Sequence, residues 1–178
     1  IRTLDAGFWK GQEFAGERIP SLEQLLDHVN ARAQIVIELK CPPERISSII
    51  NRIARKNAFE WTVASAFERE TILEVRRLAP RWRTTWLTRL RDGSASEAID
   101  WCDRSGVDTF GPVASRTDAA LVSEAHGKGL LVRCWGLGDD KGPELSRLVG
   151  IGVDGMTTNW PNELAVIIEE TLTRANTD

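Results

Sequence analysis

Glu38 and Lys40 stand two residues apart in the apolar run IVIELK, residues 35–40, and on an extended strand that spacing sends both side chains to one face. Val36 shares that face, while Ile35, Ile37 and Leu39 point to the other and are expected to pack under helices. An acid beside a base at a strand end can be a plain ion pair, or part of a charged site if other groups join it. A second run, residues 130–136, puts Arg133 and Trp135 on one face with Leu131, which adds an inward-pointing guanidinium. Soft-metal chemistry is poorly supplied. Cys41, Cys102 and Cys134 form no CxxC, and His28 and His126 are far from all three in sequence. Any metal here is therefore expected to be a hard ion held by carboxylates.

The elements that must position these groups follow a regular pattern. Short β-branched or apolar runs at 35–40, 61–67, 84–88, 107–112, 130–136 and 153–159 read as six strands. Helical stretches alternate with them, at 44–57, 71–78, 95–102, 119–128, 143–149 and 162–174. The clearest is 44–57, where Ile46, Ile49, Ile50 and Ile53 make one apolar face and Arg45, Arg52 and Arg55 occupy the rest. Gly129 reads as a helix stop and Pro161 as a start; Ser21, between Pro20 and Leu22, reads as an N-cap. Strand starts at 35, 61, 84, 107, 130 and 153 are about 23 residues apart, enough for one strand, one helix and two turns. The fold class expected is α/β: a TIM (β/α)8-type barrel, incomplete, with about six βα units present and the first two missing. A whole barrel takes roughly 250 residues, whereas this chain has 178. Barrels of this kind gather their chemistry at the strands' C-terminal ends, where Glu38 and Lys40 lie.

Composition bounds the function. With 42% hydrophobic and 28% charged residues the chain is a globular protein of one domain, residues 1–178. No stretch reaches the roughly 18 apolar residues of a membrane span. Twenty-three basic residues against 26 acidic ones give a net charge of −3, so no basic field attracts nucleic acid. Three unpaired cysteines fit a reducing compartment, and a cytoplasmic location is expected. The chain starts at Ile1 without a basic or apolar leader, which is expected of a fragment or a processed chain.

Five segments in one order resemble the glycerophosphodiester phosphodiesterases: LDAGFWKGQEFAGERIPSLEQLL at 4–26, IVIELK, VASAF, the stretch from Gly127 through VRCWG, and GVDGMTTNWP at 152–161. The resemblance covers nearly the whole chain and implies a (β/α)8 barrel acting on a small-molecule phosphodiester. It also implies a reaction, glycerophosphodiester plus water to glycerol 3-phosphate plus alcohol, assisted by Mg or Ca. Glu38 matches the family's metal-binding acid in its E-x-K strand, and Lys40 the lysine that faces the phosphate. Ser65 and Phe67 match an S-F pair, and Trp135 the tryptophan whose ring would wall the glycerol side. Arg133 is expected either to contact a second anionic group or to neutralise Glu38.

The departures define a second expectation. The family's HRG motif, E-x-D pair and second histidine, which supply its acid/base groups and remaining metal carboxylates, should precede Leu4. Gly136, Leu137 and Gly138 replace Thr, Val and Asn, and Asn159 stands where Asp is usual. No catalytic residue is therefore expected within this chain, His28 and His126 are expected on the outer helices, and the chain alone is expected to be inactive with Mg or Ca held weakly or not at all. The alternative is a non-catalytic barrel remnant that binds a phosphorylated ligand, or a partner chain through its open edge. A weaker third reading is an unrelated open α/β sheet with a ligand at a switch point.

Overall fold

The computed structural model describes residues 3–91, 93–138 and 142–175. All six expected strands form, as β1 (Ile35–Glu38), β2 (Thr62–Ala66), β3 (Thr84–Thr88), β4 (Thr109–Pro112), β5 (Leu131–Cys134) and β6 (Gly155–Met156). They join one parallel sheet in chain order, β1-β2-β3-β4-β5-β6. Each crossover carries a helix: α2 (Ile46–Arg55), α3 (Arg69–Leu78), α4 (Ala95–Arg104), α5 (Ala119–Gly127) and α6 (Pro143–Gly150). Helix α1 (Leu22–Val29) precedes the sheet and α7 (Pro161–Ala175) follows it. Sequential parallel pairing through helical crossovers is the βα repeat that the 23-residue step predicts. No helix among the described residues is long and apolar enough to cross a membrane.

Local chemistry accounts for these boundaries. Ser21 caps α1 by accepting from the Gln24 amide, and the Gln24 side chain accepts from the Ser21 amide, while Asn30 ends the helix in the left-handed region. Ser94 and Glu97 make the same reciprocal cap on α4. Helix α2 is shorter than its periodicity predicts, because Pro42 and Pro43 lead into a tight turn over Pro43–Arg45. Its Ile46, Ile50 and Ile53 are buried against the sheet; truncating such a residue to Ala costs about 2–5 kcal/mol.

Two aspartates clamp the strands' N-terminal ends. Asp108, just before β4, accepts from the Thr84 amide at 2.8 Å and its hydroxyl at 3.0 Å, with Arg76 3.6 Å away. Asp154, just before β6, accepts from the Val132 amide at 2.7 Å. Both follow a Gly-Val pair, Gly106-Val107 and Gly152-Val153, so one device fixes β3 against β4 and β5 against β6.

The ladder's register divides the faces. Glu38 pairs with Ser65, Ser65 with Thr85, Leu87 with Gly111, and Arg133 with Gly155. Paired residues of parallel neighbours share a face. The inner face therefore carries Val36, Glu38, Ser65, Leu87 and Arg133. The opposite face carries Ala64, Ala66, Trp86, Phe110, Val132 and Cys134, all buried under the helices. The sheet is curled, since residues of β1, β2, β3 and β5 line a single cavity on its inner side.

Candidate active site

That cavity, of about 340 Å³, is lined by Val36, Glu38, Ser65, Phe67, Leu87, Arg133, Trp135, Gly136 and Thr157. Five of the six residues singled out in the sequence meet there: Glu38, Ser65, Phe67, Arg133 and Trp135. Lys40 is set apart. The β1 pairing ends at Glu38, with one further bond from the Leu39 amide to the Ser65 carbonyl, before the chain turns at Cys41-Pro42-Pro43. Lys40 therefore stands at the rim, 77% exposed, in an adjoining recess of about 680 Å³ that it shares with Glu38, Phe67 and Arg89. Its Nζ is 3.5 Å from the Glu38 carboxylate. An ion pair this open to water is worth about 1 kcal/mol or less, so neither charge is locked away from a ligand.

Arg133 is the more unusual cation. Its side chain lies along Gly155, where even an added Cβ would stand 3.5 Å from its Cγ. Burial pushes the guanidinium below its usual value, and among the described residues it has no ion pair, Glu38 included. Arg133 and Glu38 line the same cavity, from β5 and β1, with no ion pair between them. A half-buried cation that lines a cavity and forms no ion pair favours an anionic occupant.

Aromatic residues form the wall. Phe67 and Trp135 meet edge to face, with centroids 4.9 Å apart and planes at 88°. The Trp135 indole donates to the Gly111 carbonyl at 3.0 Å, and the Trp86 indole donates to the Phe67 carbonyl at 2.9 Å. Two glycines make room for this. A Cβ on Gly111 would come within 2.9 Å of the Trp86 carbonyl oxygen and 2.8 Å of a Leu87 methyl. Gly136 has φ 77°, and a Cβ there would press on Val113 at 3.2 Å. Arg89 stacks over both rings, 4.6 Å from the Phe67 centroid and 5.3 Å from that of Trp135. Ser65 is buried and spends its hydroxyl on the Ile37 carbonyl at 3.4 Å, a long contact that leaves it able to turn toward a ligand.

Sequence reasoning missed Arg89. The expected strand stops at Thr88, but inner-face alternation through Thr85 and Leu87 continues to Arg89, and that parity is the signal that would have found it.

Proton-transfer groups are scarce at the cavity. His28 and His126, the chain's two histidines, are both exposed on outer helices, as expected, and the His126 Nε2 lies 2.8 Å from Asp154. Nor do the residues present make a site for the divalent ion the resemblance implies. Glu38 is a lone carboxylate in the cavity, and no group of three potential ligands exists among the described residues. Mg and Ca need six or more oxygens, several of them anionic, which Glu38 does not supply.

With this geometry in place, comparison with known proteins gives a consistent result. The model of the Glycerophosphoryl diester phosphodiesterase family matches residues 1–163. A glycerophosphodiester phosphodiesterase of Caldanaerobacter subterraneus is 26% identical over 175 residues, covering 96% of this chain and 70% of that protein. One from Bacillus subtilis is 23% identical over 180 residues, covering 91% of this chain and 61% of that protein. The chain thus spans about two thirds of the length of the curated relatives it matches. Among solved structures, a phosphodiesterase of Oleispira antarctica, in complex with the product sn-glycerol-3-phosphate, superposes with a TM-score of 0.81 at 21% identity, over 95% of this chain and 69% of that one. At that identity the likeness speaks for the fold, a TIM-like barrel.

Proposed function

The chain belongs to the glycerophosphoryl diester phosphodiesterase family, and from that premise we propose that its curled sheet forms the phosphate-binding wall of a phosphodiester hydrolase. In the reaction a water oxygen bonds to phosphorus, the bond from phosphorus to the alcohol oxygen breaks, and the water proton passes to the departing alcohol. Glycerol 3-phosphate and a free alcohol result. One observation carries the reading: Glu38, Phe67, Arg133 and Trp135 line one cavity with Lys40 at its rim.

Each residue then has a physical task. Lys40 and Arg133 hold the phosphoryl oxygens from the rim and from the inner wall, and charge gathering on those oxygens strengthens both contacts. Phe67 and Trp135 pack against the glycerol carbons and exclude water from that side. The Ser65 hydroxyl donates to a bound oxygen. Glu38 would give a Mg or Ca ion one oxygen ligand, too few among the described residues to hold it without carboxylates from elsewhere. The proton transfers need groups that the described residues do not place at the cavity. We therefore propose that this chain binds but does not turn over its substrate alone, and that the acid and base come from further barrel units in a longer polypeptide or a partner. The ends of the sheet at β1 and β6, unpaired among the described residues, are where such units would add.

Titration calorimetry with glycerol 3-phosphate, paired with a glycerophosphocholine hydrolysis assay in Mg and in Ca, tests this. Binding weakened about tenfold in Lys40→Ala, with no turnover by the chain, is expected. Failure to bind glycerol 3-phosphate would remove the phosphate site. Turnover at neutral pH would overturn the assignment of proton transfer to groups outside the chain. A second reading, a purely ligand-binding barrel wall, is favoured by the outward position of both histidines. It predicts that supplying the family's missing front motifs in cis restores no hydrolysis.

A further inference from the structure

We infer that Arg89 selects glycerophosphodiesters whose leaving alcohol carries a second anionic group, a phosphoryl or a carboxylate. This rests on the phosphate site proposed above and names the substrate class it would serve. The guanidinium carbon of Arg89 lies 4.6 Å from the Phe67 centroid and 5.3 Å from that of Trp135, so two rings set at 88° to each other hold the group in place. Those donors are unused: Arg89 makes no hydrogen bond or ion pair among the described residues. Other arginines are spent on protein groups, Arg52 on Glu23, Arg77 on Glu74, Arg147 on Glu144, and Arg116 on the Leu90 carbonyl. A planar fork, held in place with free donors, matches a carboxylate or phosphoryl group two bonds at a time.

Position fixes which part of a ligand it would meet. Arg89 shares the 680 Å³ recess with Lys40 and Glu38, and that recess opens beside the smaller cavity, with Phe67 and Glu38 common to both. A diester with its phosphate between Lys40 and Arg133 and its glycerol in the cavity has its alcohol left for the recess. Three acids line the same recess: Glu38 faces Lys40, and Glu68 and Glu70 do not pair with Arg89, while the neighbouring recess that Arg89 also lines brings Arg69 and Arg91 beside those two glutamates. A cationic alcohol such as choline would seek the aromatic faces of Phe67 and Trp135, and the like charge of Arg89 over those rings repels it.

The test titrates the chain, by calorimetry, with glycerol 3-phosphate and four diesters: a pair with anionic alcohols, glycerophosphoinositol 4-phosphate and glycerophosphoglycerate, then glycerophosphoglycerol, whose alcohol is neutral, and glycerophosphocholine, whose alcohol is cationic. Either or both of the anionic pair should bind about tenfold more tightly than the other two, which also tells phosphoryl from carboxylate recognition. Arg89→Leu should abolish that preference while leaving glycerol 3-phosphate binding within twofold, and Arg89→Lys should restore only part of it. Equal binding of all four diesters, or a preference that survives Arg89→Leu, overturns the inference while Lys40-dependent binding of glycerol 3-phosphate leaves the phosphate site standing. Absence of binding by every ligand overturns both. Arg89 is exposed, so its variants should lose only the ring contacts and still melt cooperatively by circular dichroism.

Discussion

Removing the ring of Trp135 should unfasten the wall of the site in a measurable amount. The indole takes part in three interactions: the edge-to-face contact with Phe67 at 4.9 Å, the hydrogen bond to the Gly111 carbonyl at 3.0 Å, and the cover of Arg89 at 5.3 Å. The aromatic pair is worth about 0.5–1.5 kcal/mol beyond its burial, the hydrogen bond about 0.5–1.5, and the cation contact about 0.5–1 at an exposed position. Trp135→Leu, which keeps most of the apolar bulk, should therefore lower stability by about 2–3 kcal/mol. Phe67→Leu loses the ring pair and its share of Arg89, about 1–2 kcal/mol. Because both single changes break the same contact, the double variant should fall short of their sum by about 1 kcal/mol. Urea unfolding followed by circular dichroism at 222 nm gives all four values. Additivity within about 0.3 kcal/mol would mean that the rings do not support one another, and the case for a preformed wall would fail.

Three further outcomes follow from contacts away from the wall. Asp154→Ala leaves the buried Val132 amide without its acceptor, and Asp108→Ala does the same to Thr84; each should cost about 1–3 kcal/mol in urea unfolding, and no loss in either would refute the clamp. Burial pushes the Cys102 thiol up to about 12 from an ordinary 9.0, so the folded state disfavours its thiolate. The stabilising share of that thiol is complete below pH 9 and is lost as pH climbs toward 12. Half-buried Cys41 should accordingly react with a thiol reagent at pH 8 well before Cys102 or Cys134, and equal rates for all three would contradict the packing. Asp5 accepts from the Gly16, Phe8 and Gly7 amides, which hold its carboxyl below the usual aspartate range. Its folded value being the lower, the contribution is present above the ordinary aspartate range and fades as pH falls through the depressed value. The Trp9 indole resonance, whose Nε1 donates to the Ala6 carbonyl, should shift over that acid window and stay still above it; an indifferent signal would count against the Asp5 turn.

Most of the architecture was legible because one physical signal repeats. Six apolar runs at a 23-residue step left little room for anything but a parallel βα series, and Ile46, Ile50 and Ile53 marked the buried face of α2 by spacing alone. The edges of the elements were less legible. The last strand, expected over 153–159, is reduced to Gly155–Met156, which among the described residues pairs with β5 alone. Lys40 obeys the alternation but not the depth it suggested, because the prolines after Cys41 turn the chain at the rim. Arg89 escaped notice for the opposite reason: it follows the run of a strand into what reads as a charged loop, and only the pairing register shows that it continues the inner face. The free state of Arg133 was not in the sequence at all, since it depends on the distance across a curled sheet.

The central claim is that the inner wall of this sheet holds a phosphate ester. Titrating glycerol 3-phosphate into isotopically labelled protein and following its amide and indole NMR signals tests it most directly. The account predicts saturable shifts at the Trp135 indole and at the amides from Glu38 to Cys41, Phe67 and Arg133, all needing about tenfold more ligand in Lys40→Ala. Shifts confined to the outer helices, or none at millimolar ligand, would contradict it.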